Sequence, residues 1–61
     1  MGKDKNEKMY ETYYRGDGIL YTISKNMVTG IWYFRDGEGK VIAKGDALKV
    51  QAAKHKFMEG K

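Results

Sequence analysis

Ile31-Trp32-Tyr33-Phe34-Arg35-Asp36-Gly37-Glu38-Gly39-Lys40-Val41-Ile42-Ala43-Lys44 is the stretch whose reading decides the fold. It holds the only Trp of the chain and one of its two Phe. Aromatic and β-branched residues stand on both sides of an Asp-Gly-Glu-Gly connection, the pattern of a β-hairpin. Glycine reaches positive φ at low steric cost there, and the Asp36 carboxylate can accept from the turn backbone.

Upstream, residues 19–24 read as a strand, and Lys25-Asn26 as a two-residue turn, because Asn tolerates the left-handed conformation. A strand over 27–35 follows, bending at Gly30, and the last strand covers 40–44. A turn at Lys25-Asn26 pairs Ile23 with Val28 and Ile19 with Trp32. A loop over 36–39 pairs Phe34 with Val41, Arg35 with Lys40 and Trp32 with Ala43. Residues paired across strands share a face. Ile19, Tyr21, Ile23, Val28, Gly30, Trp32, Phe34, Val41 and Ala43 then form an apolar face. Leu20, Thr22, Ser24, Met27, Thr29, Ile31, Tyr33, Arg35, Lys40, Ile42 and Lys44 form a mixed one. Both turns sort the residues alike, and a one-residue slip at either would mix the faces.

Residues 9–15, Met-Tyr-Glu-Thr-Tyr-Tyr-Arg, favour a first strand and show no helical period. Gly16-Asp17-Gly18 makes its tight connection to the next, and its register stays open. Residues 1–8 offer nothing apolar after Met1 and read as a flexible, solvated arm, which leaves 9–61 as one small domain. Downstream, Gly45-Asp46 ends the sheet, with Asp46 as a helix N-cap. Residues 47–58 contain neither Gly nor Pro, and Gly60 is a natural stop. At helical spacing Ala47, Val50, Ala53, Phe57 and Met58 fall within an arc of about 140°, into which Lys54 also projects. The expected fold is α+β: an antiparallel β-meander of three or four strands, with one C-terminal helix packed over Trp32 and Phe34.

Composition narrows the function. The chain has 61 residues, a net charge of +4, no Cys and one His. Disulfides and the usual zinc constellations are therefore excluded. No apolar run is long enough for a membrane span or a secretory signal, so a cytoplasmic protein without a membrane partner is expected. Ser24 and His55, the only residues of their kinds, lie in different elements and outside any nucleophile-elbow sequence. Asp36 and Glu38 belong to a turn that calls for such residues anyway. Gly16-Asp17-Gly18 lacks the helix and Lys of a phosphate loop. A protein that is not an enzyme and takes no cofactor is expected.

The mixed face is then the candidate surface. Tyr33, Arg35, Lys40 and Lys44 combine positive charge with an aromatic ring, which suits phosphate contact with stacking or groove reading. The basic balance points to nucleic acid, DNA in preference to RNA. Leu20, Met27, Ile31 and Ile42 lie on the same face and make a protein partner or a homodimer the alternative.

The run Gly30-Ile31-Trp32-Tyr33-Phe34-Arg35-Asp36, with Gly39-Lys40 and a helix from Asp46, resembles part of a known domain. It is similar to the last hairpin and helix of the DNA-binding domains at the amino termini of phage-type tyrosine recombinases. The likeness covers about half of the chain. It implies a sheet that docks into the DNA major groove. No catalytic domain follows in this sequence, so the resemblance implies an accessory DNA binder and not a recombinase.

Overall fold

The computed structural model describes residues 6–60. Its elements are β1 (Glu7–Arg15), β2 (Gly18–Asn26), β3 (Trp32–Asp36), β4 (Val41–Gly45) and α1 (Ala47–Glu59). The strands form one sheet in the order β1-β2-β3-β4, each antiparallel to its neighbour. This is the expected α+β meander with its helix on one face. Of the expected arm, residues 1–5 lie outside the described residues, while Glu7 and Lys8 belong to β1.

The turns differ from expectation, and their hydrogen bonds show why. Residues 27–30 form the β2–β3 turn; they are not the start of a strand. The Asn26 side chain accepts from the amides of Val28 and Thr29 at 2.9 and 3.0 Å. The Gly30 amide donates to the Asn26 carbonyl at 2.7 Å, with Gly30 at φ +78. Ile23 therefore pairs with Phe34 and Lys25 with Trp32, in place of the expected Ile23–Val28 and Ile19–Trp32. The partner of Ile23 moves by an even number of residues, so the sorting into faces survives.

The second hairpin shows the same compensation. Its loop is closed by Asp36 and Lys40, whose backbones bond at 3.0 Å, and Gly39 turns the chain at φ +89. The Asp36 carboxylate accepts from the amides of Glu38 and Lys40. A bulge then leaves Ile42 between the pairs Arg35–Val41 and Phe34–Ala43. Arg35 thus faces Val41, and the expected Arg35–Lys40, Phe34–Val41 and Trp32–Ala43 pairs do not form. The shorter loop and the bulge each shift the register by one residue, so Phe34 and Ala43 still share a face.

On β1 the open register resolves into Met9–Ser24, Glu11–Ile23, Thr12–Thr22 and Tyr13–Tyr21, with Tyr10 as an extra residue. A bulge turns consecutive side chains to one side. Tyr10 and Glu11 both reach the helix side, where Tyr10 meets the Trp32 ring at 4.6 Å and Glu11 meets Tyr21.

Phe34 is the centre of the core, at 0% exposure, enclosed with Tyr21, Ile23 and Val50. The rings of Tyr21 and Phe57 lie 5.3 and 5.5 Å from it. Trp32, expected beneath the helix together with Phe34, stands half-buried at the margin, because Lys25 and Gly45 are its strand partners and Ile19 is far down β2. The helix is capped by the Asp46 carboxylate, which accepts from the Lys49 amide at 2.8 Å. It runs over β3 and β4 and leaves the helix side of β1 uncovered.

Candidate nucleic-acid interface

That offset opens a groove of about 200 Å³ between β1 and α1. Its apolar floor includes Ile23 and Val50; Tyr10, Trp32, Glu11, Gln51 and Lys54 complete the lining. Tyr10 is there because of the β1 bulge, and Trp32 because β3 begins only after the Asn26 turn. Lys54, the cation on the otherwise apolar arc of α1, approaches Glu11 at 3.5 Å.

The Glu11 carboxylate is held from below. Tyr21 donates its hydroxyl to Glu11 at 2.5 Å. Burial, and then the bond to Glu11 and its charge, push the Tyr21 hydroxyl up to about 12. Tyr21 is therefore a neutral donor throughout the ordinary pH range and orients the carboxylate.

Above the groove stands a pair of like charges. Lys8 and Lys25 are direct cross-strand partners, on the side of the sheet that carries Trp32. The Lys8 ammonium lies 5.2 Å from the Tyr10 ring centre and the Lys25 ammonium 5.5 Å from that of Trp32. Among the described residues, neither forms an ion pair with a carboxylate. Like charges directly opposite one another destabilise a sheet. The arrangement is a rim of two ammonium groups over two aromatic faces.

On the other side of the sheet Tyr33, Arg35 and Lys44 stand together, without Lys40. Arg35 is ion-paired with Glu7, bonds the Ser24 hydroxyl at 3.0 Å, and lies over the Tyr33 ring at 5.0 Å. Ser24 also donates to Glu7. Under these side chains Ser24 is only 1% exposed, although no helix covers it. The guanidinium charge is thus neutralised within the fold. Lys40, opposite Asp36, falls on the other side of the sheet from Arg35. Tyr33 and Lys44 remain together as cross-strand partners.

The four expected partner contacts also separate. Leu20 packs against the core, Met27 lies in the turn after β2, Ile31 leads into β3, and Ile42 is the exposed residue of the β4 bulge. Of the four only Ile42 stays in the exposed apolar surface of this face, where Met9, Tyr14 and Val41 join it. Ser24 and His55 lie on opposite sides of the sheet, and His55 pairs with Glu59 on the exposed side of the helix.

Reading the sequence missed Lys8, Tyr10 and Lys25. Lys25 was expected in a turn and Lys8 in the arm. The run Tyr10-Glu11 carries no local signal for a bulge. Among the described residues, no helix is long and apolar enough to cross a membrane. Compared with protein-family models, with curated proteins and with solved structures, the chain matches none.

Proposed function

We propose that the chain is a small nucleic-acid-binding accessory protein that makes its contact on the helix side of β1 and β2. The observation that carries this reading is the cross-strand Lys8–Lys25 pair, neither of which forms an ion pair with a carboxylate among the described residues. A phosphate placed between them would turn a repulsion into two charge-assisted contacts. Tyr10 and Trp32 below would supply stacking surface, and Lys54 a third cation at the groove. The resemblance to recombinase domains implies contact through the open face. The Arg35–Glu7 pair argues for the opposite side, because a guanidinium already bonded to a carboxylate has little left for phosphate.

The test is anisotropy of labelled DNA and RNA, single-stranded and duplex, at low and moderate salt. Lys8→Gln and Lys25→Gln should each weaken binding and lower the salt slope by about 0.7–0.9. Lys44→Gln should leave binding nearly unchanged. No binding at low salt refutes the proposal, and a larger loss for Lys44→Gln than for the other two returns the contact to the open face.

A second reading, a non-enzymatic protein-interaction module, rests on the open face. Met9, Tyr14, Val41 and Ile42 are exposed around the neutralised Arg35–Glu7 pair, which resembles an interface more than a solvated surface. Sedimentation over a wide concentration range checks for self-pairing, and pull-down checks for another partner. A monomer at high concentration that recovers no protein counts against this reading.

A further inference from the structure

We infer that the groove between β1 and α1 holds one unpaired base, with a preference for a base that carries an exocyclic amino group. This rests on the nucleic-acid reading above and narrows it to single strands. At about 200 Å³ the groove is below the roughly 300–1,000 Å³ of pockets that engulf a whole small molecule. It suits a single planar ring system. Tyr10 and Trp32 line it, and their faces can stack on a base only when that base is free of its neighbours. In a duplex every base face is already covered.

Charge divides the ligand between groove and rim. Glu11 puts a carboxylate in the groove, which excludes phosphate from it. The Lys8–Lys25 pair puts positive charge beside the two rings, where a backbone phosphate would lie. A base in the groove therefore has its sugar–phosphate directed towards the rim. Within the groove, Glu11 is an acceptor. One of its oxygens takes the Tyr21 hydroxyl at 2.5 Å, and among the described residues the other meets only Lys54, at the long distance of 3.5 Å. That second oxygen has capacity for an N–H donor. Cytosine and adenine present an amino group beside a ring-nitrogen acceptor, whereas thymine and uracil present a single N–H flanked by two carbonyl oxygens, which a carboxylate repels. Gln51, whose amide both donates and accepts, can serve the neighbouring edge atom.

Trp32 is the only tryptophan and reports occupancy of the groove directly. Its fluorescence is followed while oligo(dC), oligo(dT) and a duplex of equal length are titrated, with anisotropy of the labelled oligonucleotides in parallel. Oligo(dC) should quench Trp32 and bind about tenfold more tightly than oligo(dT). Tyr10→Thr, which keeps strand propensity and removes the ring, should weaken single-strand binding about tenfold, and Tyr10→Phe should not. Glu11→Gln should abolish the discrimination between oligo(dC) and oligo(dT). Far-UV circular dichroism confirms that each variant is folded. Binding of duplex as tightly as of single strand, without quenching of Trp32, overturns the groove assignment and leaves the wider nucleic-acid reading standing. Equal affinity for oligo(dC) and oligo(dT) overturns the role of Glu11. Absence of any binding at low salt overturns both readings.

Discussion

Phe34→Leu removes the ring at the centre of the core while keeping an apolar side chain in its place. Phe34 meets Tyr21 at 5.3 Å with the rings tilted by 55°, and Phe57 at 5.5 Å edge-on at 82°. Each such contact contributes about 0.5–1.5 kcal/mol beyond simple burial, so the loss should be about 1–3 kcal/mol. A chain of this length has a total stability of about 3–9 kcal/mol. The variant should therefore remain folded with a clearly lower urea midpoint. Phe34→Ala, at about 3–5 kcal/mol, should remove most of the stability. Urea titration followed by far-UV circular dichroism reads both. Trp32→Leu is the comparison, because Trp32 is half-buried and its ring partner Tyr10 is on the exposed edge strand. It should cost less than Phe34→Leu. If Trp32→Leu costs more, Trp32 is the centre of the core, and the Ile23–Phe34 register of β2 and β3 is wrong.

Three further outcomes follow from the same geometry. A Cβ on Gly37 would overlap the carbonyl oxygen of Ile19, so Gly37→Ala should destabilise by about 1–3 kcal/mol. Gly18→Ala, with open space at that position, should stay within about 0.5 kcal/mol, and equal thermal melts for the two would refute the close approach. Arg35→Ala removes the guanidinium that bonds both Glu7 and the Ser24 hydroxyl, and should cost about 1–3 kcal/mol; an unchanged melt would show that the pair adds nothing. Tyr21 has its folded pKa raised from 10.0 to about 12 by burial first and then by Glu11. The neutral phenol is thus favoured in the folded state, and its contribution is full below pH 10 and lost as pH rises towards 12. A two-unit shift corresponds to about 2.7 kcal/mol at most, and solvent screening at the half-exposed Glu11 lowers it. The difference in urea midpoint between the native chain and Tyr21→Phe should narrow between pH 10 and pH 12, and a constant difference would contradict the assignment.

Local sequence suffices for the strand and helix segments and for the core side chains Tyr21, Ile23, Phe34 and Val50, whereas Leu20, assigned to the mixed face, packs against the core, and Ile19 and Val41, assigned to the apolar face, are exposed. The Asp46 cap, the Asp36 turn and the apolar arc of α1 are local features, decided by hydrogen bonds and periodicity within a few residues. The faces of Ile23, Phe34 and Ala43 survived two wrong turn lengths because side-chain direction in a strand depends only on parity. The β2–β3 shift is even, and the one-residue shift at the second loop is made even at Ala43 by the bulge, while Val41, before the bulge, changes face. Parity does not specify partners. Phe34 holds the centre and Trp32 the margin because the Asn26 side chain and Gly30 spend four residues on the turn, moving Ile23 opposite Phe34. The site was less legible still. Bulges at Tyr10 and Ile42 depend on the strand alongside, and the Glu7–Arg35 pair joins residues 28 apart in the chain. That pair neutralises the one arginine of the face proposed from sequence. The groove beside β1 exists only because α1 settles over β3 and β4. Tertiary structure alone decided these, since a charge, a bulge or a groove acquires its partners only when distant segments meet.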